Sequence, residues 1–99
     1  MELLQMSKYF DALKLLLERR IPDGICVRID EYVNQHEDSF DLRVLLWDKD
    51  NDAKYVLVLP VSGGSRESCR TNAERLGPFS DKVVRAALAM CSNPELFID

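Results

Sequence analysis

The fold is decided by residues 40–61, FDLRVLLWDKDNDAKYVLVLPV. Apolar residues alternate with other residues at both ends of this stretch, a pattern typical of strands with one buried face. The central DKDND, residues 48–52, has short Asx side chains that favour a tight turn. Residues 40–47 and 54–61 are therefore predicted to form a hairpin. Because Pro60 has no N–H to donate, it places the end of the second strand at a sheet edge.

The sequence before the hairpin predicts a helix and a further strand. Residues 2–20 repeat apolar side chains every three or four positions, which indicates an amphipathic helix, and Pro22 cannot continue it. Asp23-Gly24 then turns the chain. Residues 25–33 alternate in the same way as the hairpin strands and are predicted to be the first strand of the sheet.

The sequence after the hairpin predicts two helices. A weakly apolar helix over residues 65–76 is expected to end at Gly77-Pro78. Ser80 is a favourable N-cap for a second helix that runs to Cys91. The last five residues, 95–99, are expected either to dock through their apolar side chains or to add a short strand.

This element order predicts an α+β fold: an N-terminal helix, a three-stranded antiparallel meander sheet, and one or two C-terminal helices (α-β-β-β-α-α). The chain has 99 residues, of which 46% are hydrophobic and 30% charged, as expected for a single domain over residues 1–99.

The sequence indicates a cytoplasmic protein. Its apolar runs are too short to span a bilayer, and its N-terminus lacks the pattern of a secretory signal. Cys26, Cys69 and Cys91 are odd in number and widely spaced, which favours free thiols in a reducing compartment over a disulfide framework.

The charge pattern disfavours nucleic acid as a partner. The net charge is −4, and acids outnumber bases most strongly in residues 21–62, whereas phosphate backbones require clustered Lys and Arg. The helix–three strands–helix order resembles that of the double-stranded-RNA-binding domain, whose basic run would fall near Arg66 and Arg70. Glu67 and Glu74 interrupt that run here. Acidic charge suits a partner with a basic surface, and it equally serves ordinary solubility.

The main functional prediction concerns the sheet face that points away from the core. Helices on one side of a three-stranded sheet leave the other side in water, where polar residues are expected. A contiguous apolar patch there favours protein binding, with homodimerisation as an equal alternative. If the C-terminal segment or the helix over residues 65–76 covers this face, the patch is core. The predicted partner-binding residues are Tyr32, Leu45, Trp47, Val56 and Val58, with Asp48, Asp50 and Asp52 at the edge to steer a basic partner. Small acidic secretion chaperones and toxin-immunity proteins are similar in size, charge and α+β character.

The alternative function is anion or nucleic-acid binding at the start of the first C-terminal helix. A glycine pair before a helix exposes N–H donors, and two arginines four residues apart lie on one side of that helix. The residues of this candidate anion site are Gly63, Gly64, Ser65, Arg66 and Arg70.

No motif predicts an enzyme, a cofactor or a metal, so no catalytic residue is assigned. Cys69 and Arg75 have the spacing of cysteine phosphatases, but the intervening residues contain no glycine and include Glu74. The Asp48-x-Asp50-x-Asp52 sequence begins like a calcium loop but lacks the glycine and the bidentate glutamate that follow. His36 is the only histidine, which disfavours a zinc site.

Overall fold

The computed structural model describes the backbone of residues 2–34, 39–62 and 66–98, and the side chains of residues 9–32, 41–61 and 71–98. It confirms the predicted α+β arrangement. The elements in chain order are α1 (Glu2–Leu17), β1 (Ile25–Asn34), β2 (Ser39–Asp48), β3 (Ala53–Ser62), α2 (Arg66–Ser92) and a 3-10 helix, η1 (Pro94–Phe97).

The three strands form one antiparallel sheet in the order β1-β2-β3. In the register, Val44 of β2 lies between Ile29 of β1 and Leu57 of β3. Since β3 is at an edge of the sheet, the position expected for Pro60 is confirmed. Each predicted strand is found within one residue of its predicted bounds, because alternation and turn residues are local signals.

Helices cover one face of this sheet, which is called the covered face. Leu42, Val44 and Leu46 of β2 are completely buried there. Leu13 of α1 and Val83 of α2 are buried against the same core. Apolar surface of this kind contributes about 25 cal/mol per Å² when it is removed from water, which makes the covered face the main source of stability.

α1 ends earlier than the predicted residue 20. Arg19 adopts a left-handed backbone with φ 64°, so the Glu18 N–H makes the last α-type bond, to the Lys14 carbonyl, and α1 ends at Leu17. Arg20 then donates a side-chain hydrogen bond to the Leu16 carbonyl, 3.3 Å away. Gly24 has φ 93°, a conformation that favours glycine, and completes the turn into β1.

The predicted break at Gly77-Pro78 is wrong, because α2 continues through Pro78 as one helix. The sequence does contain a signal for continuity, since Leu76, Phe79, Val83, Ala87 and Met90 are buried at steps of three and four residues on both sides of the proline. Burial of this uninterrupted stripe outweighs the missing N–H of the proline. Ser80 is therefore not an N-cap, and its hydroxyl donates to the Gly77 carbonyl, 2.7 Å away.

The C-terminal segment docks as η1 on the covered face. Phe97 packs edge-on against Tyr55, with ring centroids 5.3 Å apart. Tyr55 pairs with Leu46 in the register and so points to the helix side of the sheet. Of the two predicted outcomes for this segment, docking by apolar side chains is the one observed.

Among the described residues, neither α-helix is both long and apolar enough to cross a membrane.

Candidate functional site

The candidate site lies on the sheet face opposite the helices, called the open face. Side chains of paired residues point to the same face, so the register gives its arrangement as four rows across β1, β2 and β3. The rows are Cys26–Trp47–Lys54, Arg28–Leu45–Val56, Asp30–Arg43–Val58 and Tyr32–Asp41–Pro60.

Apolar side chains occupy the β2–β3 half of the open face. Leu45 pairs directly with Val56, Trp47 follows Leu45 by two positions on β2, and Val58 follows Val56 on β3. Val56 is 52% exposed and Val58 44%, whereas Leu45 and Trp47 are half-buried by their neighbours. We call these four residues the open-face patch. No described helix lies across it, since α1, α2 and η1 pack on the covered face or on one another. α2 also reaches the outer edge of β3, where its residues line shallow clefts with Val56 and Val58.

Two lysine side chains lie near the Trp47 ring. The Nζ atoms of Lys49 and Lys54 each lie 5.3 Å from the centroid of its ring system, within the range of a cation–π interaction. The indole Nε1 is buried and has no hydrogen-bond partner among the described residues. The observed polar contacts of Trp47 are therefore made by its ring and not by its N–H.

The rest of the open face, formed by β1 and by Asp41 and Arg43 of β2, is polar and its charges are paired. Arg28 Nε lies 3.1 Å from a carboxylate oxygen of Asp30, and Arg43 Nη2 lies 3.6 Å from Asp41. Tyr32 is 48% exposed and stacks under the Arg43 guanidinium, whose Cζ is 4.1 Å from the ring centroid. The structure thus brings together four of the five predicted apolar residues and places Tyr32 at the far corner, three rows from Trp47.

The three predicted steering aspartates have different environments. Asp48 is buried at the end of β2, paired with Ile25 and Ala53 on the covered side, and its carboxylate accepts hydrogen bonds from Asn51. The Asp48 carboxylate thus lies inside the turn and not at the exposed edge of the open face, where it was expected. Asp50 and Asp52 are exposed in the turn.

No match was found when the chain was compared with protein-family models, curated proteins and solved structures. The function is therefore argued from the surface chemistry alone.

The candidate anion site cannot be assembled from the described atoms. Gly63, Gly64 and Ser65 lie outside the described residues, as do the side chains of Arg66 and Arg70. His36 and the side chain of Cys69 also lie outside them. Within the described part of the chain, no group of three or more His, Cys, Asp and Glu side chains is arranged to hold a metal ion.

The structure contains a second apolar surface that the sequence analysis did not single out. It is a groove between α1 and β1 on the helix side of the sheet, and Leu15 at its rim is 69% exposed. The sequence signal was the run Leu15-Leu16-Leu17, in which Leu15 falls outside the buried stripe of α1. An apolar residue on the predicted polar side of a helix is a weak signal, because isolated exposed leucines are common.

Proposed function

We propose that this domain binds another protein through the open-face patch and acts by occupying that partner, as an inhibitor, immunity or adaptor protein does. The observation that carries the proposal is the position of Leu45, Trp47, Val56 and Val58, side by side on a face that no described helix covers. A contiguous apolar patch of this kind is typical of interaction surfaces.

The composition of the patch supports binding by a second argument. Tryptophan is enriched among the residues that dominate binding free energy, and it contributes most when the surrounding contacts exclude water. Leu45 and Val56 form the row next to Trp47, and the ammonium groups of Lys49 and Lys54 each lie 5.3 Å from the centroid of its ring system. A tryptophan side chain has only two χ angles and therefore loses little conformational entropy on association.

The partner we propose is a protein with a basic surface that the domain meets in the cytoplasm. The chain carries a net charge of −4, and the exposed Asp50 and Asp52 lie in the turn next to Trp47. Charges at the rim of an interface mainly accelerate association and affect affinity less. Lys49 and Lys54 lie at the same end of the patch and reduce this steering, so apolar burial remains the main source of affinity.

The proposal is tested by affinity capture from the native host with the wild-type chain, Val58→Asp and Leu88→Asp. Leu88 is 51% exposed on α2, so its substitution adds the same charge at a similarly exposed site away from the patch. We expect Val58→Asp to lose the captured protein and Leu88→Asp to keep it, with both variants folded by circular dichroism.

Two results would contradict the proposal. If Val58→Asp captures the same protein as the wild type, the patch is not the binding surface. If Val58→Asp and the milder Val56→Thr both unfold the domain, the patch is required for folding. Light scattering of the purified chain identifies self-association, in which case the partner is a second copy.

A further inference from the structure

The helices leave part of the covered face exposed along β1. α1 packs mainly against α2, and the space between α1 and β1 is a groove of about 760 Å³. Its apolar lining is contributed by Phe10, Leu15, Leu17, Ile21, Val27 and Ile29. We call this space the β1 groove. It lies on the opposite side of the sheet from the open-face patch and is independent of it.

The direction of the backbone groups at the sheet edges follows from one contact on β3. Arg75 Nη1 donates a hydrogen bond to the Pro60 carbonyl, 3.0 Å away, from α2 outside the sheet. The backbone carbonyl of Pro60 therefore points away from β2. In an antiparallel sheet the N–H and C=O of one residue point to the same side, and successive residues alternate. Asp41 pairs with Pro60 on one side and with Tyr32 on the other. The backbone N–H and C=O of Asp41 therefore point towards β1 and bond to Tyr32.

This alternation determines which residues of β1 face outwards. Since Tyr32 bonds towards β2, the backbone groups of Val27, Ile29 and Glu31 point away from the sheet. The Ile25 N–H agrees with this assignment of outward-pointing residues, because it donates to the Pro22 carbonyl, 3.3 Å away, and not to β2. Within the described residues, no hydrogen bond to the outward groups of residues 27, 29 and 31 is observed.

A strand added to this edge would place side chains in the β1 groove. Neighbouring strands lie about 4.8 Å apart, and alternate side chains point to opposite faces. Every second side chain of an added strand would therefore point to the helix side, between α1 and β1. There it would meet Val27, which is 36% exposed, and Leu15, which is 69% exposed.

The charges around the groove favour a cation. Asp11 and Glu18 of α1 line it together with Lys14, and Glu31 lies further along β1 on the same face. Burial raises the pKa of the Glu31 carboxyl above its ordinary value, and the Asp11 carboxylate raises it further. A Lys or Arg side chain between Asp11 and Glu31 would relieve this repulsion.

We propose that β1 accepts an extended segment of another protein as a fourth strand, with alternate apolar side chains in the β1 groove and a Lys or Arg facing Asp11 and Glu31. Strand addition of this kind obtains affinity from main-chain hydrogen bonds and specificity from side-chain pockets. A second copy of this chain is a poorer occupant, because a two-fold β1–β1 pairing brings two negatively charged grooves together.

The experiment selects binders from a random-peptide display library with the full-length chain as bait. We expect enriched peptides to alternate apolar residues and to carry a Lys or Arg on the same face as those residues. The affinity of one enriched peptide is then measured by fluorescence anisotropy. Two methylated forms of this peptide are then compared, one with methyl groups on the backbone nitrogens of odd-numbered residues and one on those of even-numbered residues. Only one of the two should bind more weakly, because only one set of N–H groups bonds to β1.

Three protein variants locate the site. Leu15→Lys should weaken the selected peptide at least about tenfold, whereas Leu88→Lys, a matched substitution at an exposed leucine of α2, should leave its affinity unchanged. Glu31→Gln should weaken binding and reduce its dependence on salt concentration. Val27→Pro removes one outward N–H without removing a bond to β2, and it should abolish binding while circular dichroism shows a folded chain.

Several results would overturn this inference. One is a library that yields no enriched peptide, and another is a selected peptide that binds Leu15→Lys and Glu31→Gln as tightly as the wild type. If the two alternately methylated peptides bind with equal affinity, strand addition is excluded. Light scattering that shows a dimer, converted to a monomer by Leu15→Lys, would assign the edge to a second copy. The substitutions at Leu15, Val27 and Glu31 leave the side chains of the open-face patch unchanged, so they distinguish a peptide bound at the β1 edge from one bound at the patch.

Discussion

The two faces of β2 differ in environment although both carry apolar residues. On the covered face, Leu42, Val44 and Leu46 are completely buried. On the open face, the alternating positions hold Leu45 and Trp47, which no described helix covers. The difference shows that helix placement, and not hydrophobicity alone, decides which apolar side chains stabilise the fold. The apolar side chains that no described helix covers are available for binding.

The largest expected effect comes from comparing adjacent leucines of β2. Leu46→Ala should lower the free energy of unfolding by about 2–5 kcal/mol, because it creates a cavity in a fully packed core. Leu45→Ala should lower it by only about 1 kcal/mol, because Leu45 is half-buried. Urea unfolding measures both values. Equal losses would show that the open face packs like the core and would remove the contrast between the faces.

The second prediction concerns a substitution in α2 that should stabilise the covered side and leave the open face unchanged. Pro78→Ala should raise the free energy of unfolding by about 1–3 kcal/mol, because alanine supplies an N–H inside α2 and has the highest helix propensity. Pro60→Ala is the matched control at an exposed proline, where the N–H would point outwards from a sheet edge. A loss of stability in Pro78→Ala would indicate that α2 needs the proline to follow the sheet.

A smaller effect is expected from the ion pair between Arg20, which follows α1, and Asp81 of α2. Arg20 Nη2 lies 2.6 Å from an Asp81 carboxylate oxygen, and both side chains are largely exposed. Arg20→Ala should therefore lower the free energy of unfolding by at most about 1 kcal/mol, with a smaller loss at high salt. Arg28→Ala removes an exposed pair within β1 and is the control. A loss well above that limit would mean that this contact holds the helices on the covered face.

The smallest expected effect is the pH dependence that Glu31 confers. Since the folded-state pKa of Glu31 is raised by burial and then by Asp11, the folded chain holds its proton more tightly than the unfolded chain. The contribution to stability is present below the unfolded-state pKa and is lost as pH rises through the folded-state pKa. Lys14 and Glu18 of α1 also line the β1 groove.

Glu31→Gln should therefore be slightly more stable than the wild type at neutral pH, and the difference should disappear as the pH falls below the ordinary pKa of glutamate. Thermal unfolding across this pH range measures it, with Glu95→Gln as a control for the loss of one exposed negative charge. A difference that is constant with pH would exclude ionisation of Glu31 as its cause.

The patch and the groove differed in how far the sequence predicted them. Leu45, Trp47, Val56 and Val58 were predicted to lie together, because strand alternation specifies a face without knowledge of the rest of the fold. Tyr32 shares that face, but its distance from Trp47 depends on the register. The burial of Asp48 in the turn was not predicted, because its hydrogen bonds with Asn51 form only when the turn closes.

The groove between α1 and β1 could not be predicted, since it depends on how α1 is placed over the sheet. The continuity of α2 through Pro78 has a similar origin, because local propensity favours a break and only tertiary burial of Leu76, Phe79 and Val83 outweighs it.

The sequence by itself determined the strands, their turns and the two apolar faces of β2. These features arise from interactions between residues a few positions apart, which are the same in any fold. Only the tertiary structure decided which face the helices cover and how much of β1 they leave exposed. The reason is physical: covering a sheet depends on where distant segments pack, and that position minimises the exposed apolar area of the whole chain.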